Sequence, residues 1–176
     1  MIKLYFLIFT IFILNSCNSQ TSDPHKEVQN GIVYFSFDNG VNWINSSNGL
    51  PEKTSIGLGG IATSNQILGL ATKEAGVYIY NIKSKIWENV PTNAQIIEGN
   101  IGALAVLDNT LFVGTQFKGV FSTTDHGKNW TALNRGLTNL TIRRFCEYNN
   151  VLYACTNDGF YSYDKISESW NLEFGQ

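Results

Sequence analysis

Two hydrophobic patterns divide the chain. Residues 4–14 form an apolar run. From residue 31 onward, short apolar stretches alternate with polar clusters rich in Asn, Asp, Ser and Gly. Stretches this short, bounded by turn formers, read as β-strands rather than helices. The clearest set predicts strands at about 102–107, 111–115, 119–124 and 130–133. Asp108-Asn109 falls between the first two of these, and Asn149-Asn150 falls between a corresponding later pair. Both residue types tolerate the positive φ of a two-residue hairpin turn.

The strand pattern repeats. Trp43, Trp87, Trp130 and Trp170 are spaced by 44, 43 and 40 residues. Aligned on the tryptophans, Gly60-Ile61-Ala62 falls on Ala103-Leu104-Ala105, and Leu68-Gly69-Leu70-Ala71-Thr72 on Leu111-Phe112-Val113-Gly114-Thr115. Gly76-Val77-Tyr78 falls on Gly119-Val120-Phe121, and the last unit follows with Leu152-Tyr153-Ala154-Cys155-Thr156 and Gly159-Phe160-Tyr161. A period of 40 to 45 residues with glycine, aromatics and tight turns points to propeller blades of four antiparallel strands. The first unit is shorter. Residues 33–37 and 43–44 match third and fourth strands, and a polar stretch precedes them. The expected architecture is all-β, with three full blades and one outer hairpin. An incomplete four-bladed ring, a curved open array and a piece of a longer ancestor all fit that count. Gly57-Leu58-Gly59-Gly60 has no following helix to hold phosphate and reads as a blade-to-blade turn.

Ser36, Asp38, Gly40 and Trp43 fit the spacing S-x-D-x-G-x-x-W, and Thr123, Asp125, Gly127 and Trp130 fit it with Thr for Ser. This pair resembles the Asp-box, or bacterial neuraminidase repeat, of sialidases, sortilin-type receptors, xyloglucanases and photosystem assembly propellers. The resemblance covers roughly residues 31–174. It implies that the box is structural and peripheral: Asp accepts backbone N–H bonds across the turn, Gly supplies a backbone shape other residues resist, and Trp closes the hairpin by burying its face. In the second and fourth units Ile82 and Lys165 stand at the Asp position, while Trp87 and Trp170 survive. A packing role for the tryptophans is expected from that.

The run at 4–14 has eleven residues, too few for a spanning helix and suited to a signal sequence. It ends in Leu14-Asn15-Ser16-Cys17, which resembles the bacterial lipobox. The resemblance implies a signal peptide over 1–16, a lipid on Cys17, and anchorage at a bacterial cell envelope. Residues 17–30 then read as the lipidated Cys and a flexible spacer, and 31–176 as the propeller-type domain.

Composition narrows the function. Charged residues are 15% and aromatics 13% of the chain, which excludes a disordered chain. The net charge of −2 leaves no basic excess for nucleic acid. His25 sits in the spacer and His126 in the second box, so no metal or cofactor site is expected. The sialidase-like relatives use three Arg to clamp a carboxylate. Here only Arg135, Arg143 and Arg144 exist, two of them adjacent and facing opposite ways. No two carboxylates have a spacing that sets them across a cleft. Arg143, opening an innermost strand, is a candidate contact for an anion. Cys146 and Cys155 lie on paired strands as diagonal neighbours, either as small core residues or as a disulfide. The expectation is a non-catalytic envelope-anchored module that binds a protein or glycan partner, with self-association through its open blade edge. A degenerate sialidase- or glycosidase-like hydrolase and a truncated remnant are the alternatives.

Overall fold

The computed structural model describes residues 31–175, except residues 65 and 74 and the side chain of residue 58. The expected signal peptide, Cys17 and spacer lie outside the described residues. The chain opens with a hairpin of β1 (Tyr34–Phe35) and β2 (Ile44–Asn45). Three four-stranded units follow. The second blade is β3 (Ile56–Thr63), β4 (Leu68–Thr72), β5 (Gly76–Asn81) and β6 (Ile86–Val90). The third is β7 (Ile101–Leu107), β8 (Thr110–Thr115), β9 (Val120–Thr123) and β10 (Thr131–Ala132). The fourth is β11 (Arg144–Tyr148), β12 (Val151–Cys155), β13 (Gly159–Asp164) and β14 (Ser169–Gly175). Within each blade the strands pair antiparallel in chain order. The fold is thus all-β, with three full propeller-type blades and one outer hairpin.

Packing follows the joints between blades. One apolar cluster joins the hairpin to the second blade through Phe35, Leu70 and Trp87. A second joins the second and third blades through Val77, Leu104 and Phe121, and a third joins the third and fourth through Phe112, Phe145 and Trp170. All seven residues of β7 are buried, because Leu104 and Val106 serve one joint and Ala103, Ala105 and Leu107 the other. In β11 only Phe145 is buried, since that blade has a neighbour on one side.

Repeated side chains shape the turns. Thr72 and Thr115 end their second strands, and Thr156 directly follows its own. Their Oγ1 atoms donate to the carbonyls of Gly76, Gly119 and Gly159 at 2.9, 2.9 and 3.0 Å. Asn149 and Asn150 have φ of 49° and 61°, as their hairpin turn requires.

Two expectations are corrected, and one element is new. The Gly57–Gly60 stretch lies inside β3, at an irregular register, and is not a turn between blades. Its glycines let β3 approach β7: a Cβ on Gly57 would sit 2.9 Å from the Gly102 carbonyl oxygen. The link after the second blade carries a short helix, α1 (Ala94–Glu98), capped by Asn93 Oδ1 accepting from Ile96 N–H at 3.0 Å. Ile96 is fully buried there, which gives the helix its hold. Finally, Cys146 and Cys155 are free thiols, and Cys146 is exposed. It aligns with buried Ala105, but among the described residues no further blade covers the face that carries it.

Candidate functional site

The two box segments fold alike. Asp38 Oδ1 accepts from Asn42 N–H at 2.8 Å and from Ser36 Oγ at 2.9 Å. Asp125 Oδ1 accepts from Asn129 N–H at 2.9 Å and from Thr123 Oγ1 at 2.8 Å. Gly40 and Gly127 hold φ of 88° and 85°, each after a residue at 58°, Asn39 or His126. Two consecutive left-handed residues explain why a glycine stands there. Asn129 and Thr123 hold the Asp125 carboxyl down at about 2, and Asn42 and Ser36 lower that of Asp38. These carboxylates are committed to the turn and are poorly suited to proton transfer.

The second and fourth blades use a related device that the motif search missed. Asn81 and Asp164, one position before Ile82 and Lys165, carry the acceptor. Asn81 Oδ1 accepts from Lys83 and Ser84 N–H at 3.0 and 3.2 Å, and Asp164 Oδ1 from Ile166 N–H at 2.9 Å. The polar function has shifted by one residue rather than vanished.

The tryptophans do more than close their own hairpins. Trp87 Nε1 donates to the Ser46 carbonyl at 2.7 Å, Trp130 Nε1 to Pro91 at 2.7 Å and Trp170 Nε1 to Leu133 at 2.8 Å. Each acceptor follows the last strand of the preceding blade. Trp43, in the first hairpin, donates instead to its own Gly40 carbonyl at 3.1 Å and is 60% exposed. Its expected burial fails, and among the described residues no preceding blade covers it. Beneath Trp87 and Trp170 run Asn48-Gly49-Leu50 and Arg135-Gly136-Leu137, a second repeated signal that the sequence alignment overlooked. Gly49 and Gly136 have φ of 93° and 92°, and a Cβ on either would meet a tryptophan carbonyl oxygen at 2.2 or 2.0 Å.

Two hollows remain. The larger, about 1220 Å³, lies between the first hairpin and the second blade. Phe35, Trp43, Leu68 and Tyr80 line it, with Lys83 and Lys85 and no described acidic residue. Phe35 and Tyr80 meet edge to face at 5.0 Å. The other, about 680 Å³, is polar and sits where the first turns of the second, third and fourth blades converge, at Ser64, Asp108, Asn109, Glu147 and Asn150. Asp108 is engaged by Lys165 at 2.6 Å. Arg143 lines neither hollow. Its exposed side chain donates through Nε to Asn157 Oδ1 at 2.6 Å.

Other shifted groups also have structural causes. Thr138 and Thr156 lower the Asp158 carboxyl, and Ser167 and Ile166 N–H lower that of Asp164. Burial pushes up the Cys155 thiol and the Tyr163 phenol. Among the described residues no group of three or more His, Cys, Asp or Glu is placed to hold a metal ion. Among them, too, no helix is long and apolar enough to cross a membrane.

No family model matches the chain, and no curated protein matches it either. Solved structures do. YCF48 from Cyanidioschyzon merolae is 16% identical with a TM-score of 0.58, covering 83% of this chain and 50% of that one. The computationally designed Ika4 protein is 13% identical with a TM-score of 0.56, covering 73% of this chain and 78% of that one. The extracellular domain of BT4673 from B. thetaiotaomicron is 18% identical with a TM-score of 0.50, covering 78% and 17%. The chain therefore spans half of YCF48 and a smaller part of BT4673, and what it shares with them is the β-propeller fold.

Proposed function

We propose that this chain is a non-catalytic binding module, held at a bacterial cell envelope by a lipid on Cys17, that presents its blades to a protein or glycan partner. The observation that carries the reading is the exposed aromatic surface around the first hairpin. Phe37 is 82% and Trp43 60% exposed beside a hollow of about 1220 Å³. Large apolar surfaces left bare on a folded domain mark interaction sites. YCF48, a structural neighbour, has been solved bound to a D1 peptide, which supports a protein-binding role for such blades. The non-catalytic part draws support from the carboxylates. Among the described residues, the carboxylates with a shifted pKa, Asp38, Asp125, Asp158 and Asp164, are all lowered by hydrogen bonds, whereas a general acid needs its pKa raised. The paired turns at Asp38 and Asp125 favour membership of the Asp-box repeats.

The test has three arms. Metabolic labelling with a fatty acid should mark the full chain and leave Cys17→Ala unmarked. A photo-crosslinking amino acid at Phe37 should yield a discrete adduct in the native envelope, and one at exposed Lys128, distant in sequence, should not. Fluorogenic glycosides, sialosides included, should not be turned over. Turnover, or the absence of any adduct, would overturn the reading.

A further inference from the structure

The two hollows open at the same end of the blades. In an antiparallel blade the turns after the first and third strands fall at one end. Turns of both kinds bound the larger hollow, and turns after first strands bound the smaller. Thr63, Ser64 and Gln66 line both, so the two make one groove. It runs from the first hairpin at the rim to the central convergence of turns. The saddle between its halves is braced. Ser64 Oγ accepts from Ile67 N–H at 3.1 Å, and Ser64 N–H donates to the Ile67 carbonyl at 2.8 Å.

The halves differ in chemistry. The outer half is walled by Phe35, Trp43 and Tyr80, and Ile82, 81% exposed, stands at its lip. Lys83 and Lys85 line it from the turn after β5, and neither is ion-paired to a described residue. No described carboxylate lines this half. Asp38, next in the chain to Phe37, has its carboxylate bound to Asn42 within its own turn. The inner half is lined by Asp108, Glu147 and the amides of Asn109 and Asn150, with no described Lys or Arg. Lys165 answers Asp108, whereas Glu147 is exposed and has no ion-pair partner among the described residues. A groove that is apolar and cationic at one end and polar and anionic at the other selects a ligand with the charges reversed.

We propose that this groove takes one extended segment of a partner protein. The segment sets a large apolar side chain and an adjacent carboxylate into the outer half, and a Lys or Arg into the inner half. Side chains carry the recognition, so no free strand edge is required. The opposed charges favour a peptide over other occupants. An acidic polysaccharide would bring its own charge onto Asp108 and Glu147, and a bilayer would touch only the lip of a concave surface. The inference rests on the binding-module reading and names the partner's recognition element.

The full chain, in detergent, is panned against a displayed library of random peptides. Expected are binders that share an acidic residue beside a large apolar one, with Lys or Arg at a fixed offset. Lys83, Lys85 and Glu147 are all exposed, so their charges can be reversed without touching the core. The triple variant Lys83→Glu, Lys85→Glu, Glu147→Lys, its fold checked by its melt, should select the opposite charges. A synthetic copy of the commonest binder should bind the Lys83→Glu, Lys85→Glu double variant at least about fivefold more weakly. It should also suppress the crosslinked adduct at Phe37 in the envelope. No enrichment, binders without the pattern, or the same pattern from the triple variant would overturn the proposal. So would tighter binding of polygalacturonate than of the selected peptide, or a Phe37 adduct to lipid. A dimer on a sizing column in which acrylamide no longer quenches Trp43 would overturn it in favour of a second copy. If panning fails while a protein adduct at Phe37 persists, the groove's ligand falls and the binding-module reading stands.

Discussion

The indole of Trp170 donates its N–H to the backbone carbonyl of Leu133 across the joint between the third and fourth blades, at 2.8 Å. Trp170 is only 2% exposed, so the carbonyl has no replacement donor if the indole is lost. Trp170→Phe should cost about 2–3 kcal/mol, combining an unmet acceptor with a partly filled cavity. Trp130 makes the same bond to Pro91 from a half-buried position. There water can take over, and Trp130→Phe should cost about 1 kcal/mol. Urea midpoints for the two variants check the ordering. Equal losses would mean that the buried joint contributes nothing special.

Acid should loosen the second box turn. The folded-state pKa of Asp125 is lowered to about 2 from an ordinary value of 3.8. A carboxylate lowered in the folded state contributes stability above its unfolded pKa. That contribution is lost as pH falls from about 3.8 toward about 2. Asp125→Asn should remove this part of the pH dependence and leave a flatter profile across that window. Denaturant unfolding at a series of pH values measures it.

Two glycines with similar backbone shapes should respond differently to Ala. Gly40 has φ of 88° and open space, the nearest atom to an added Cβ being a Trp43 ring carbon at 3.8 Å. Gly40→Ala should cost about 1–2 kcal/mol, the strain of the left-handed backbone alone. Gly136 has φ of 92°, and its Cβ would lie 2.0 Å from the Trp170 carbonyl oxygen. Gly136→Ala should cost clearly more, because the joint must open as well. Thermal melts of both variants, compared with the parent, test the difference.

The uncovered face of the fourth blade should drive weak self-association. Tyr153 and Phe160 stack there at 5.1 Å, and Phe174, paired with Phe160, is 80% exposed. Phe174→Ser should leave stability within about 0.5 kcal/mol, as expected for a surface position. It should also reduce the concentration dependence of sedimentation. An unchanged sedimentation profile would remove Phe174 from any such contact.

Much of this architecture was legible because the same joint is built three times. Repeated constraints leave repeated residues, so Trp spacing located the blades and the Leu-to-Thr stretches located their second strands. What stayed hidden depends on neighbours in space. Cys146 and Ala105 occupy matching positions, yet one is exposed and the other buried, because only one has a blade beyond it. The acceptors of Trp87, Trp130 and Trp170 were invisible for a similar reason: they are backbone carbonyls, which any residue supplies. Helix α1 escaped because its five residues are too few to show a period. The aromatic hollow could not be anticipated, since Phe35 and Tyr80 fit a core as well as an open surface.

The indole bonds have a direction. Each runs to a carbonyl earlier in the chain, by 41, 39 and 37 residues for Trp87, Trp130 and Trp170. During synthesis the acceptor therefore always emerges before its donor. Every new blade meets a docking point already laid down, and no joint waits for distant sequence. Closing loops of one blade's length keeps the entropic cost of each step nearly constant. The domain can accordingly grow at the ribosome like a zip drawn from its first tooth, with folding order written into which partner holds the N–H.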